Sequence, residues 1–264
     1  MNVPNQEFIT IDIGNNHVTA KYQSMIHSEI RSSSNMIFDL PTNLPLVISS
    51  VIHQENWQTY YPQFHSWLQR HHQKKIFLND LRQENTFLGM PTAYAATLGE
   101  DRLAVAFGAY ASAEKNTAWS IIIDAGSLLT MDLVSQKLGH SGGYILPGLT
   151  NYKKALESGD QLKNFPLFQK HPTSISDDFF SSIPNDTLSA MEWGYIHSVT
   201  GLLLTKIAVL PIHDQGRIIL TGGDTIFWHP YLAKTLSTIS NLKLMVNIHF
   251  IHDSLSLVAK ECLK

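Results

Sequence analysis

The sequence predicts an α/β protein built from two like halves. Strand-like apolar runs alternate with helical spacings along the chain, which argues for layered α/β architecture. The run "FITIDIGNNHVTAKY" at residues 8–22 breaks at Asp12-Ile13-Gly14-Asn15-Asn16 and then resumes. "SIIIDAGSLLTMDLV" at 120–134 repeats that syntax at Asp124-Ala125-Gly126-Ser127. A strand ended twice by Asp-x-Gly-polar is what a duplicated domain looks like. The boundary is expected near residues 114–119, dividing the chain into 1–116 and 117–264.

The elements follow in order. Phe8–Ile13 and Val18–Tyr22 read as a hairpin turning at Gly14-Asn15-Asn16, residue types that tolerate positive φ. Leu46–Ile52 is a β-branched run suited to a buried strand. Phe64, Trp67 and Leu68 give residues 61–72 a helical spacing, Lys75–Leu78 is a short strand, and residues 102–113 read as an apolar helix. The second half restarts with strands at Ser120–Ile123 and Leu128–Val134 and a glycine-rich strand segment at 139–149. The longest helical pattern covers 185–210, with Asn185 or Asp186 as N-cap. A strand at 217–223 runs into a double-glycine turn, and helices at 230–238 and 254–263 close the chain.

Composition narrows the function classes. The 264 residues suffice for two ordinary domains, and 44% hydrophobic against 16% charged residues is a globular composition, not a disordered one. The net charge is −3, with no basic run beyond Lys74-Lys75 and Lys153-Lys154. A nucleic-acid partner is therefore not expected, and a small metabolite is. The single cysteine, Cys262, forms no intrachain disulfide. Neither a signal peptide nor a membrane-spanning apolar stretch is visible, so a cytoplasmic protein is expected.

Several short motifs carry chemistry. A tight glycine turn exposes successive backbone N–H groups, which suits phosphate, and an adjacent carboxylate suits hydrated Mg²⁺. Either acidic turn alone is explained by ordinary turn formation; their recurrence favours a phosphate site. In Gly99-Glu100-Asp101-Arg102 the acids fit the first turn of a helix, while Asp101 also fits a general base and Arg102 an anchor for an anionic substrate. Gly142-Gly143 and Thr221-Gly222-Gly223-Asp224 permit close approach by a nucleotide. His249 and His252, three apart on an expected strand, point to opposite faces, so no histidine receives a role.

In this order, the pieces resemble type III pantothenate kinases of the actin, Hsp70 and sugar-kinase superfamily. "DIGNNHVT" resembles the family's first phosphate motif, "LGEDR" its pantothenate motif and "DAGSLLTMD" its second phosphate motif. "GGYILPGL" resembles a characteristic segment and "TGGD" the adenosine-side turn. The resemblance implies two duplicated ribonuclease H-like domains with an ATP cleft between them, and ATP-dependent phosphorylation of pantothenate, the first step of coenzyme A synthesis. It assigns the segment Asp12, Ile13, Gly14, Asn15, Asn16, His17, Val18 and Thr19, together with Ser127, to ATP, with Mg²⁺ held by Asp12 through water. It assigns Gly99, Glu100, Asp101, Arg102 and Thr187 to pantothenate, with Asp101 as the base. Asp124 is assigned K⁺ or NH₄⁺. A homodimer is implied as well, with the apolar residues Leu188, Met191, Trp193, Ile196, Val199 and Leu202–Leu204 of the long helix in excess of one core-facing stripe.

Three departures stand out. Asn16 and Ser127 occupy positions where the family usually has Thr, and Thr92 stands where it commonly has Tyr, with Tyr94 two residues on. A sugar kinase of the same superfamily, or a regulatory homologue without catalysis, remains the alternative function.

Overall fold

A computed structural model describes residues 7–22, 25–30, 40–93, 97–160, 162, 164–169, 172–211 and 215–263. Tyr94 lies outside these residues. The first half contains β1 (Ile9–Ile13), β2 (His17–Tyr22), β3 (Met25–Ile30) and β4 (Leu46–Ser50). Helices α1 (Trp57–Tyr60) and α2 (Pro62–Gln69) lead to β5 (Lys75–Phe77). A small ribbon of β6 (Arg82–Gln83), β7 (Thr86–Phe87) and β8 (Met90–Pro91) precedes α3 (Glu100–Ala111). The second half contains β9 (Thr117–Ala125), β10 (Leu128–Ser135), β11 (Gly139–Pro147), α4 (Leu149–Glu157) and α5 (Thr187–Ile207). It ends with β12 (Gln215–Thr221), α6 (Thr225–Leu236), β13 (Leu242–Val246) and α7 (Phe250–Cys262).

The two main sheets share one topology. Their strand orders are β3-β2-β1-β4-β5 and β11-β10-β9-β12-β13, third-second-first-fourth-fifth in each half. β1 pairs antiparallel with β2 and parallel with β4, while β9 and β13 both run parallel to β12. Parallel neighbours require crossovers, which the helices supply. The duplicated α/β fold is thus realised in the strand order itself.

The contiguous division at 116/117 is replaced by a discontinuous one. One compact unit gathers 1–113, 134–142 and 249–264, and the other 114–133 and 143–248. The closing helix α7 therefore belongs with the first unit. Its close fit explains this: a Cβ on Gly108 of α3 would lie 1.9 Å from Ser254 Oγ and 3.1 Å from Ser254 Cα. Only glycine admits such a helix approach.

Each unit has its own core. In the first, Ile9, Ile11, Ile13, Val18 and Ala20 of the hairpin pack with Leu46, Ile48, Trp57, Phe64 and Trp67. In the second, β9 and β12 bury Ile121, Ile123, Ile218 and Leu220 against Tyr195, Val199 and Leu203 of α5 and Trp228 and Leu232 of α6. Ile196, Val199 and Leu203 are consumed by this core, Trp193 and Leu202 pack against it, and Met191 is buried. Part of the apolar surplus expected on α5 is absorbed within its own unit; Leu188 is half-buried and Leu204 is exposed.

Three local expectations are corrected. None of Gly14, Asn15 and Asn16 has positive φ, so the first turn does not need residues of that tolerance. α6 begins at Thr225, ahead of the expected 230, and carries Pro230 inside it; a proline invites reading as a helix start, yet tertiary packing holds it within the helix. Residues 250–252 are helical, with His249 as the N-cap of α7, so His249 and His252 do not lie on a strand with opposed side chains. The helix instead brings His252 to a buried position, 1% exposed.

Burial, followed by the nearby Lys21 charge, pushes the His252 imidazole down to about 3. An unfolded histidine titrates near pH 6.5. Between these values the unfolded chain binds a proton that the folded chain does not, so stability rises with pH across that window. The contribution is complete above about pH 6.5 and is lost as pH falls towards 3, amounting to about 5 kcal/mol at most. Denaturant titrations of wild type should therefore show a stability loss from pH 7 to pH 4.5 that His252→Gln reduces. Equal pH slopes in the two proteins would contradict this.

Candidate active site

The first acidic turn grows out of β1. Asp12 is half-buried, opposite Thr19 of β2 and Ser49 of β4. The turn closes by Gly14 N–H donating to His17 O at 2.9 Å. Tyr61 donates its hydroxyl to Gly14 O at 2.7 Å, tying the turn to the helical layer. Asn15, Asn16 and His17 are exposed. Ile13 and Val18 are fully buried, so a ligand meets only their backbone. Thr19 Oγ1 lies 2.9 Å from His252 Nε2.

The end of β4 links this turn to the "LGEDR" segment. Val51 N–H donates to Ile13 O at 3.0 Å, and the preceding Ser50 N–H donates to Glu100 Oε2 at 3.0 Å. Gly99 is the N-cap of α3, so Glu100 and Asp101 occupy its first turn, where the helix dipole favours acids. Asp101 Oδ1 accepts from Arg102 N–H at 2.7 Å. Arg102 is buried. Burial raises the Glu100 carboxyl above its ordinary range, against the Ser50 N–H and Arg82, which favour the charged form. Arg82 donates to Leu98 O and so holds the strand of chain entering the motif. A cavity of about 570 Å³ opens here, lined by Ser50, Val51, Trp57, Arg82, Gly99 and Glu100 among others. Ser50, Val51, Tyr61 and Arg82 escaped sequence reasoning because they lie in no motif; only their neighbours' fold brings them in.

The second acidic turn is assembled in the other unit. Asp124 stands opposite Thr221 in parallel register. Ser127 O accepts from Gly148 N–H at 3.1 Å and from Asn151 Nδ2 at 2.6 Å. Asp224 N–H donates to Ala125 O at 2.8 Å. The second phosphate-like turn, the Pro147-Gly148 corner and the "TGGD" turn are thus brought together around Asp124. Gly222 has φ +92°, and a Cβ there would lie 2.5 Å from both Asp124 Oδ1 and Ala125 O. That leaves a small cradle of oxygens beside a carboxylate, the donor set a hard monovalent cation takes. No cluster of three His, Cys, Asp or Glu side chains that could hold a metal ion occurs among the described residues.

Thr187 is exposed at the start of α5, whose N-cap Asp186 accepts from Ser189 N–H at 2.9 Å. Thr92 is buried and bridges to His140. No helix among the described residues is long and apolar enough to cross a membrane.

Comparison with known proteins shows the family. The profile of the type III pantothenate kinase family matches residues 8–208. A Campylobacter hominis type III pantothenate kinase is 36% identical over 136 residues, covering 52% of this chain and 55% of that protein. The chain thus aligns with about half the length of that relative. A Flavobacterium psychrophilum type III pantothenate kinase is 25% identical over 253 residues, covering 89% of this chain and 95% of that protein. A Campylobacter jejuni crystal structure described as a Baf family transcriptional activator has TM-score 0.57 and 21% identity over 96% of this chain and 98% of that one, a likeness of fold.

The glycines of these turns fall into two kinds. A Cβ on Gly148 would lie 2.0 Å from Gly126 O, and one on Gly222 would meet Asp124 and Ala125 as above. On Gly14 and Gly126 the nearest atoms would be backbone oxygens at 3.4 and 3.8 Å, ordinary contacts. Gly148→Ala and Gly222→Ala should therefore destabilise by roughly 2 kcal/mol or more, while Gly14→Ala and Gly126→Ala should stay within about 0.5 kcal/mol of wild type. Chemical denaturation of the four variants checks the division; uniform losses would contradict it.

Proposed function

The chain belongs to the type III pantothenate kinase family, and from that premise we propose that it transfers the γ-phosphoryl group of ATP to pantothenate, the first step of coenzyme A synthesis. The observation that carries the reading is the matched pair of strand ends. Asp12 with the Gly14 turn and Asp124 with the Gly126-Ser127 turn occupy equivalent first-strand ends of two sheets with one topology. Neither Gly14 nor Gly126 is required by the chain's own backbone, which supports close approach by a ligand at both.

The assignment of roles follows the residues. Backbone N–H groups of the Gly14 to Asn16 turn, and the Ser127 hydroxyl, receive phosphate oxygens. Asp101, oriented by Arg102 N–H, accepts the proton of the pantothenate primary hydroxyl as its oxygen takes the phosphoryl group and ADP leaves. Gly99, Glu100 and Arg102 position that acceptor beside the cavity at the start of α3. Mg²⁺, held through water by Asp12, and K⁺ or NH₄⁺, held by Asp124 in the Gly222 cradle, would offset phosphate charge, the dominant demand of phosphoryl transfer.

Dimerisation is part of the same reading. The exposed face of α5 carries Ala190, Gly194, Ser198, Gly201 and Thr205, together with Thr187. A Cβ on Gly194 or Gly201 would meet nothing within 4 Å. Glycine inside a helix costs up to about 1 kcal/mol relative to alanine, and no described residue of this unit packs against either position to offset it. Close approach of a second copy's helix accounts for both. Tyr144 and Ile145 of β11 are exposed, and Lys206 Nζ of α5 stands 5.1 Å from the Tyr144 ring centroid, which adds aromatic and apolar surface to that side.

An ADP-release assay tests the function. Pantothenate should stimulate turnover and hexoses should not; stimulation by a hexose instead would favour the sugar-kinase alternative. Asp101→Asn should lower kcat by roughly 10²–10⁴-fold with the fold intact. A near-normal kcat would remove Asp101 from its role. Turnover at fixed Mg²⁺ should be high in K⁺ or NH₄⁺ and low in Na⁺. Equal rates would leave Asp124 as a turn residue only. Light scattering should give a dimer mass for wild type and a monomer for Gly194→Leu/Gly201→Leu, whose KM for pantothenate should rise. A dimeric double variant would place the seam elsewhere.

A further inference from the structure

The polar face of the first hairpin is held by one buried ring from the far end of the chain. His252 Nδ1 lies 2.9 Å from Thr10 Oγ1, and its Nε2 lies 2.9 Å from Thr19 Oγ1. Thr10 belongs to β1 and Thr19 to β2, so the imidazole spans both strands. Burial keeps the ring neutral, its pKa pushed down to about 3. A neutral imidazole offers one N–H and one bare nitrogen. One hydroxyl therefore accepts from the ring while the other donates to it, and either tautomer fixes both rotors. The next residue, Asp253, accepts from Lys21 Nζ at 2.6 Å and adds a second tie to β2.

Register then places Asp12 within this face. Thr10 stands opposite Lys21 and Asp12 opposite Thr19, while Asp12 also stands opposite Ser49 of β4. Opposed residues share a face, as do alternate residues along a strand. Thr10, Asp12, Thr19, Lys21 and Ser49 thus form one polar face, and Ile9, Ile11, Ile13, Val18 and Ala20 turn to the core. The carboxylate at the strand end is next to the hydroxyl that His252 immobilises.

We propose that His252 is a positioning residue for Asp12. By bonding Thr10 and Thr19 from α7, it holds the hairpin's polar face in the arrangement that presents the carboxylate and the Gly14 turn to the nucleotide. This rests on the assignment of that turn to ATP phosphates. An imidazole that only fastened α7 to the sheet would affect stability without favouring either substrate. One that positions Asp12 affects nucleotide binding and leaves the acceptor alone.

The test is MgATP affinity by calorimetry without pantothenate, alongside steady-state constants and melting temperature. His252→Gln, Thr10→Val and Thr19→Val should each weaken MgATP binding by roughly tenfold to a hundredfold, the usual effect of losing an outer supporting hydrogen bond. KM for pantothenate should stay unchanged. Thr10→Ser, which keeps the hydroxyl on the other ring nitrogen, should bind MgATP like wild type. His252→Gln combined with Thr10→Val should be no weaker than the weaker single variant, because both remove the same constraint. If His252→Gln does not fold, Thr10→Val and Thr10→Ser carry the comparison. Lower melting temperatures with unchanged MgATP affinity, or equal losses for both substrates, would overturn the proposal. Wild type that fails to bind MgATP would instead overturn the nucleotide assignment on which it stands.

Discussion

The hydrogen bond from Val51 N–H to Ile13 O, 3.0 Å long, defines where the first strand stops being sheet and starts being site. β1 is flanked on both sides by paired strands, so its backbone has little freedom up to Ile13. Beyond that bond the chain turns at Gly14, and the side chain just before it, Asp12, is carried on a rigid platform. One residue earlier on β4, Ser50 N–H reaches Glu100. Two adjacent amides at one strand end therefore set the position of the acidic turn and the start of α3 together. Rigid elements hold reacting groups more closely than loops do, and both candidate carboxylates of this unit depend on that junction.

The two units reach the same topology through different packing. The first balances an apolar sheet face, filled by Trp57, Phe64 and Trp67, against a polar face closed by His252 and Asp253. The second relies on aromatic rings. Tyr152 and Tyr195 stack with centroids 4.4 Å apart, while Phe168 packs edge-on against Phe227 at 5.3 Å. The Tyr195 hydroxyl donates to Pro147 O, beside the Gly148 corner that backs Ser127. Burial pushes the Tyr195 hydroxyl well above the ordinary tyrosine range, so it is a donor at neutral pH. Polar ties in one unit and aromatic packing in the other thus support equivalent acidic turns. Fold duplication conserves the strand order and leaves the supporting chemistry free to differ.

Much of this was legible in the sequence where period and punctuation agreed. The hairpins, the parallel strands at Leu46 and Arg217 and the long helix capped by Asp186 all combine a clear apolar period with a recognisable end. Legibility failed where local signals pointed one way and tertiary contacts another. Pro230 marks a helix start by propensity, yet the helix begins five residues earlier because Phe227 and Trp228 are buried. "NIHFIHD" has β-like composition, but Phe250, His252 and Leu255 bury one face of a helix. The site was legible as motifs and not as supports. Ser50, Tyr61, Arg82 and His252 belong to no motif, and each acts through a partner between about 16 and 242 residues away, a distance no local pattern encodes.

The same logic applies to His252, to which no sequence motif assigns a role. A count of thirteen histidines invites a search for metal ligands, and their spacing offers none. Metal binding requires several ligands converging on one point, whereas fixing a hairpin requires one ring with two opposed nitrogens and two hydroxyls at the right separation. β-strand pairing supplies that separation automatically, because Thr10 and Thr19 are diagonal neighbours on paired strands of one face, about 7–8 Å apart. The imidazole of a helix laid across that face meets both. Its burial removes the proton it would otherwise carry at acid pH, so the structure gains a neutral bridge at neutral pH. The residue type follows from the sheet geometry: lysine and arginine offer no acceptor, and His252 supplies a donor and an acceptor on opposite edges of one rigid ring.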